Sequence, residues 1–181
     1  KVVKVCDPWG PDFAIRRDDC IPATLEDVLS TSRVIFVFAA PTVENQHFLG
    51  RDQLALIPRN AAFVLMSRAA VVDFDELVRQ IGEGRFRAAV DVFPEEPMPA
   101  DHSVRKLEGM LLSGHRTGGM TEAFHEIGAL VVGDAELILR GLPPQLCRRG
   151  DASIAARFRD PTRRASPTRV VEIIDKYKPR P

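Results

Sequence analysis

Five polar residues in this sequence follow short apolar segments, and their side chains are of types that bind anions and move protons. They are Asp7, Arg68, Asp91, Glu96 and His115. A guanidinium can hold a carboxylate through two parallel hydrogen bonds, and an imidazole exchanges a proton near neutral pH. In open sheets of parallel strands, ligands bind beside the carboxyl ends of the strands. We therefore expect these side chains to lie along one edge of a sheet.

The segments that position these residues alternate between strand and helix patterns. Five apolar runs predict strands, at residues 2–6, 33–40, 62–66, 87–93 and 110–113. Thr24 is placed to cap a short helix, residues 52–57 and 74–81 have helical patterns, and residues 120–140 predict a long helix with one apolar stripe. This alternation is typical of a doubly wound parallel α/β sheet. The uninterrupted run at 33–40 predicts a strand buried on both faces.

Composition argues against several classes of protein. The chain has 181 residues, 45% of them apolar, and 25 Lys and Arg balance 25 Asp and Glu, so it lacks the positive charge that binds nucleic acids or acidic membranes. Its apolar runs are too short to cross a bilayer. Cys6, Cys20 and Cys147 are odd in number and scattered, unlike a disulfide framework or a zinc cluster. We expect a cytoplasmic protein that binds neither nucleic acid nor membrane.

Charge divides the chain into two parts. Residues 142–181 contain 10 of the 25 basic residues but only 4 of the 25 acidic ones. We predict that residues 1–141 form the sheet domain, which the helix at 120–140 closes. Residues 142–181 are predicted to form a basic extension rich in Pro and Arg, with helical turns around 170–177.

Four segments together resemble the D-2-hydroxyacid dehydrogenase family, its phosphoglycerate dehydrogenase-like members included, over residues 2–146. They are Ser32–Val37 running into Thr42–Glu44, Ser67–Asp73, Asp91–Pro97 and Ser113–Gly118. The resemblance implies a Rossmann-like NAD-binding domain. It also implies hydride transfer between a nicotinamide and a small 2-hydroxy or 2-keto acid, and a homodimer formed through this domain.

The resemblance assigns catalytic roles to three residues. Arg68 matches the arginine that binds the substrate carboxylate, and His115 matches the acid/base that exchanges the hydroxyl proton. Glu96 matches the carboxylate that orients the imidazole and favours its protonated form. Glu95 is the nearest alternative to Glu96, and Arg68 alone would also suit a surface salt bridge. The other histidines are interpreted as structural: His47, His102 and His125.

Cofactor contacts are implied in the same way. Asp7 matches an acid that accepts hydrogen bonds from the adenosine ribose, which favours NAD because a 2′-phosphate would be repelled. Asp7-Pro8 is also a common start of a turn. Asp91 matches a residue near the nicotinamide amide. The remaining positions that would line the dinucleotide are Ala39, Ala40, Met66, Ser67, Thr117 and Gly118.

Some residues depart from the family pattern. The family's glycine-rich phosphate loop would precede Asp7 by about 20 residues, and the sequence contains no GxGxxG. We therefore expect a partial domain that lacks the first strand and this loop, the C-terminal part of a longer enzyme. Leu65 replaces an asparagine, Ala69-Ala70 replace glycines, and Arg116 adds a cation beside the histidine. The alternative is a non-catalytic binding or oligomerisation module, because pyrophosphate would have no helix terminus to bind.

Overall fold

The computed structural model describes residues 2–147. Within this range the chain forms six strands and five α-helices, in the order β1 Lys4–Val5, α1 Asp12–Arg17, β2 Ile21–Pro22, α2 Leu25–Thr31, β3 Val34–Val37, α3 Arg51–Ala55, β4 Ala62–Leu65, α4 Phe74–Gly82, β5 Arg87–Val90, β6 Met110–Leu112 and α5 Thr121–Leu139. Short 3-10 helices at Ala69–Val71 and Ser103–Lys106 follow β4 and β5. The helical turns predicted around 170–177 lie outside the described residues.

All strand pairs are parallel, which confirms the predicted α/β class, but the strands form two sheets. β3, β4, β5 and β6 lie side by side in that order, whereas β1 pairs only with β2. The prediction of one five-stranded sheet is therefore wrong for the first strand. The sequence pattern did not predict β2, because two residues ending in proline are too short to show a strand periodicity. Within residues 2–147 no ladder joins β1 to β3.

The register of the larger sheet aligns the carboxyl ends of its strands. Val37 pairs with Leu65, Leu65 with Val90, and Val90 with Leu112. The loops that follow β4, β5 and β6 consequently leave the sheet at one edge and in neighbouring positions. This edge is where the predicted site residues were expected.

The hydrophobic core lies on one face of this sheet. Leu29 of α2, Leu54 of α3 and Leu77 of α4 are at most 1% exposed and belong to the same core as the inward-facing strand residues. Strand β3 alternates between buried and exposed positions, with Val34 52% and Phe36 57% exposed. The prediction that this segment is buried on both faces is wrong, because the described helices cover only one face of the sheet.

Two of the helices that build this core are capped at their N-termini by the side chain of the preceding residue. The Thr24 hydroxyl accepts a hydrogen bond of 3.1 Å from the amide of Asp27, which confirms the predicted cap of α2. Asp73 caps α4 through the amide of Glu76 at 3.0 Å. Asp27 also accepts a hydrogen bond of 2.8 Å from the ammonium of Lys4, which links the smaller sheet to α2.

Helix α5 presents most of its apolar residues to solvent. Phe124 is 61% exposed, Ile127 55% and Val131 56%, and Asp134 is the one buried residue of the helix. The Asp134 carboxylate accepts hydrogen bonds from the amides of Gln145, Leu146 and Cys147, which attaches the segment after the helix to α5. These amides, Leu146 first, outweigh burial and lower the pKa of Asp134 to about 2. No helix within residues 2–147 is long and apolar enough to span a bilayer.

The one-sided core predicts unequal effects for the same substitution on two strands. Phe63 of β4 is fully buried, so Phe63→Ala should lower the free energy of unfolding by about 3–5 kcal/mol. Phe36→Ala on β3 removes a half-exposed ring from the open face and should cost about 1 kcal/mol or less. Urea unfolding followed by circular dichroism measures both. Equal losses would show that the open face is covered in solution.

Candidate active site

Three side chains from three different loops meet at the carboxyl edge of the larger sheet. Arg68 follows β4, Glu96 lies in the loop after β5, and His115 follows β6. The distance from His115 Nδ1 to Glu96 Oε2 is 2.7 Å, and Arg68 Nη1 lies 3.4 Å from His115 Nε2. Arg68 also donates to the carbonyl of Ser67 at 2.7 Å. A guanidinium, an imidazole and a carboxylate therefore form one continuous row.

The contact with Glu96 determines which nitrogen of His115 carries the proton. An ionised carboxylate only accepts hydrogen bonds, so His115 Nδ1–H is the donor. The hydrogen bond from His115, followed by one of 2.9 Å from the amide of Phe93, lowers the pKa of Glu96 below its usual range. In the neutral imidazole Nε2 is then left as the acceptor. The side chains of His115 and Glu96 are 40% and 36% exposed, so a ligand can reach the pair, and Arg68 Nη1 is the group that lies beside Nε2.

Asp91 holds the loop that carries His115. It is 3% exposed, and its carboxylate accepts hydrogen bonds from the amides of Arg116 at 2.9 Å and Thr117 at 3.1 Å and from the Thr117 hydroxyl. The carbonyl of Asp91 accepts from the amide of His115 at 2.8 Å. His115 has a φ of 54°, in the left-handed region that side chains other than glycine rarely adopt. These contacts hold it there.

Burial alone would raise the pKa of Asp91, because desolvation disfavours the charged form. The hydrogen bonds from Thr117, Arg116 and Ser113 outweigh burial, and the pKa is lowered to about 2. Asp91 therefore keeps its negative charge at neutral pH while it is buried. The structure shows a loop-holding contact for this residue, whereas the resemblance implied one with the nicotinamide amide.

The positions predicted to line a dinucleotide lie along the same edge. Ala39 and Ala40 follow β3, Met66 and Ser67 follow β4, and Thr117 and Gly118 follow the histidine. Of these positions, Ala40 and Gly118 are exposed, as is the neighbouring Arg68. The other four positions are partly buried. Arg68 directly precedes the 3-10 helix Ala69–Val71, and neither alanine that replaces a family glycine has a positive φ.

Sequence reasoning missed Asn45, which shapes the loop after β3. Its Oδ1 accepts from the amide of Thr42 at 2.7 Å and its Nδ2 donates to the carbonyl of Ala40 at 2.8 Å. Asn45 is 8% exposed, and its hydrogen bond with Thr42 is buried, whereas the one with Ala40 is partly buried. The residue lies one position beyond the matched segment Thr42–Glu44, and an asparagine in a loop commonly bonds to nearby backbone in this way.

Asp7 follows β1 in the smaller sheet and borders a separate cleft of about 280 Å³. Cys6, Asp12, Ala23 and Thr24 also line this cleft. One oxygen of Asp7 accepts a hydrogen bond of 3.0 Å from the amide of Trp9. This contact is typical of a turn that starts at Asp7-Pro8, which is the alternative to ribose binding. Gly10 packs on the carboxylate so closely that a Cβ there would lie 2.5 Å from Asp7 Oδ2. The carboxylate is exposed and is fixed by its own turn.

The remaining candidates lie apart from the row. Within residues 2–147 Glu95 makes no hydrogen bond to His115, whereas its neighbour Glu96 does. His102 accepts the amide of Val104 at 3.3 Å and caps the second 3-10 helix. His125 lies on α5, and His47 occupies a turn with a φ of 52°.

The profile of the family described as "D-isomer specific 2-hydroxyacid dehydrogenase, NAD binding domain" matches residues 3–117. This chain belongs to that family. The match confirms the resemblance seen in the four segments, and it includes all three residues of the row. The matched domain of the D-2-hydroxyacid dehydrogenases binds NAD.

Individual relatives agree with this assignment. The crystal structure of a phosphoglycerate oxidoreductase from Rhizobium etli is 45% identical, with a TM-score of 0.76 over 83% of this chain and 45% of that one. A glyoxylate reductase from Korarchaeum cryptofilum is 33% identical over 67% of this chain and 37% of its own length. A D-3-phosphoglycerate dehydrogenase from Methanocaldococcus jannaschii is 35% identical over 55% of this chain and 19% of its own length. The chain thus spans less than half the length of these relatives.

The residues present fit the two ends of NAD. The exposed Asp7 carboxylate offers an acceptor for ribose hydroxyls, and Asp12 lines the same cleft. At the other end, Arg68, His115 and Glu96 are exposed at the carboxyl edge of the larger sheet and carry hydrogen-bonding groups. The sequence contains no glycine-rich motif for the pyrophosphate between these ends.

The hydrogen bonds of Asp91 predict a pH-dependent effect of Asp91→Asn. Because the folded pKa is lowered, the carboxylate stabilises the fold above its ordinary pKa of about 3.9, and this contribution is lost as the pH falls toward about 2. Asp91→Asn should lower the free energy of unfolding by about 2–3 kcal/mol at neutral pH. The difference from wild type should shrink between pH about 4 and about 2.

Urea unfolding at a series of pH values measures this difference. Asp101→Asn is the control, because Asp101 is exposed and makes no side-chain hydrogen bond within the described residues. A difference that does not depend on pH would contradict the assigned role of the Asp91 charge.

Proposed function

We propose that this chain is the cofactor-binding part of an NAD-dependent oxidoreductase that interconverts small 2-hydroxy and 2-keto acids. The observation that supports the proposal is the convergence of Arg68, His115 and Glu96, with distances of 3.4 Å and 2.7 Å along the row. Membership of the D-2-hydroxyacid dehydrogenase family agrees with it. The relatives named for glyoxylate and phosphoglycerate suggest short acids as substrates.

Arg68 binds the carboxylate of the acid in this proposal. Its guanidinium is exposed and lies at the open side of the imidazole, so an acid bound there places its 2-carbon substituents beside His115 Nε2. Two parallel hydrogen bonds from a planar guanidinium fix both position and orientation, which a single ammonium group does not. The acid is thereby aligned for a reaction at its 2-carbon.

His115 exchanges the proton of the substrate oxygen through Nε2. When the keto acid is reduced, the imidazolium donates this proton to the oxygen as negative charge develops there, and in oxidation the neutral imidazole accepts it. Glu96 holds the Nδ1–H and stabilises the positive charge that His115 carries in half of the cycle. Nicotinamide supplies or accepts the hydride when it is bound.

We also propose that the protein is a cytoplasmic homodimer that associates through α5. The helix exposes a set of large apolar side chains: Phe124, Ile127, Leu130, Val131, Val132, Ile138 and Leu139. Several large apolar side chains exposed on one helix are typical of a surface that another protein chain covers. The three cysteines are unpaired, as in a reducing compartment.

Substitution of His115 tests the catalytic proposal. Asparagine tolerates a positive φ, so His115→Asn preserves the backbone while it removes the acid/base. It should lower kcat for reduction of glyoxylate or hydroxypyruvate about 10²–10⁴-fold, measured by oxidation of NADH on the protein that carries this sequence. Arg68→Lys should mainly raise KM for the keto acid.

The control for this experiment is His47→Asn, the same substitution at another positive φ, which should leave kcat unchanged. Wild-type turnover in both His115→Asn and Arg68→Lys would contradict the proposal. That outcome would favour the non-catalytic binding module.

Substitution of Ile127 tests the proposed dimer. A charge in the centre of the apolar stripe cannot be buried without a partner, so Ile127→Glu should convert the dimer into a monomer. Sedimentation equilibrium measures the mass. Phe13→Glu, at a 73% exposed position on α1, should leave the dimer intact. A monomeric wild type would contradict the proposal.

A further inference from the structure

The loop that carries Glu96 has an attachment that the proposed mechanism does not use. Residues 94–97 of this loop are exposed, and the chain continues through Met98 and Pro99 toward the 3-10 helix Ser103–Lys106. Within that helix, Arg105 donates from Nε to the carbonyl of Pro99 at 2.9 Å and from Nη2 to the carbonyl of Met98 at 2.8 Å. One guanidinium thus bridges two consecutive carbonyls just beyond Glu96-Pro97.

Arg105 is itself connected to the core through its neighbour. Val104 is 1% exposed and belongs to the hydrophobic core, while Arg105 is exposed. The amide of Arg105 donates to the carbonyl of His102 at 3.0 Å, which closes the helical turn. The guanidinium therefore extends from a fixed point of the fold, and a displacement of the Glu96 loop would have to break its hydrogen bonds.

The Glu96 carboxylate needs such support. Its hydrogen bond to His115 is 2.7 Å long, and hydrogen bonds weaken steeply as length and angle depart from their optimum. The amide of Phe93 binds the other carboxylate oxygen at 2.9 Å but does not hold the backbone on the far side of Glu96. Arg105 also lines the same cleft of about 320 Å³ as Glu96, Met98 and His115.

We propose that Arg105 is a positioning residue, which keeps the Glu96 carboxylate on His115 by holding the carbonyls of Met98 and Pro99. The planar guanidinium suits this role because its donors lie in a fixed fork that reaches two acceptors at once. The inference rests on the proposed function only in giving the pair of Glu96 and His115 a role in catalysis.

The test is the pKa of Glu96, measured by carboxyl ¹³C NMR on the chain without any ligand. The groups that act on this carboxylate are His115, the amide of Phe93 and Arg68. Arg105→Met should raise the pKa of Glu96 toward its ordinary value. The rise should be most of the rise that His115→Asn produces. The Tm and the circular dichroism spectrum of Arg105→Met should stay close to those of the wild type. Lys106→Met removes a neighbouring cation that makes no side-chain hydrogen bond in the described part of the chain and should leave the pKa unchanged.

Two results would overturn the proposal. One is an unchanged pKa of Glu96 in folded Arg105→Met, and the other is an equal rise in Lys106→Met, which would assign the effect to charge alone. If Arg105→Met does not fold, Arg105→Lys decides, because an ammonium cannot reproduce the planar bridge: a rise in the pKa of Glu96 supports the proposal and no rise contradicts it. Failure of the proposed function would be seen in turnover and would not alter this titration.

Discussion

The buried carboxylate of Asp91 is the contact on which the arrangement of the site depends. It accepts hydrogen bonds from the backbone of Arg116 and Thr117 and from the Thr117 hydroxyl, and it is 3% exposed. A buried charge is tolerated only when it is hydrogen-bonded, so the loop cannot move away without leaving that charge unsatisfied. The same loop holds His115 at a φ of 54°, which the chain would not adopt by itself. The cost of the unusual backbone is offset by the satisfied carboxylate.

The parallel sheet supplies the second constraint, because it brings together loops that are far apart in sequence. Leu65, Val90 and Leu112 are paired across β4, β5 and β6. Each of them is followed within a few residues by a residue of the site. Arg68 and His115 are 47 positions apart in the chain, yet their side-chain nitrogens lie 3.4 Å apart. Short connections from aligned strand ends leave these side chains little freedom. The precision of the site thus follows from the register of the strands.

The surfaces that stay open are as informative as the core. One face of the larger sheet exposes Val34 and Phe36, and the ring of Phe36 stacks on that of Phe38 with centroids 5.9 Å apart. The apolar stripe of α5 is exposed as well. Apolar side chains at these positions stabilise the protein only when something covers them and removes them from water. The chain also spans less than half the length of the phosphoglycerate oxidoreductase and the glyoxylate reductase to which it was compared.

Much of this protein could be predicted from its sequence, because the relevant signals are local. Short apolar runs identified the strands of the larger sheet, Thr24 identified a helix cap, and four segments identified the family and the row of Arg68, Glu96 and His115. Other features depended on contacts between distant residues. The separation into two sheets, the open face of β3, the hydrogen bonds of Asp91 and Asn45, and the bridge of Arg105 are examples. Periodicity reports which residues prefer a strand or a helix, but it carries no information on which donor meets which acceptor across the fold. Only the tertiary structure decided those pairs.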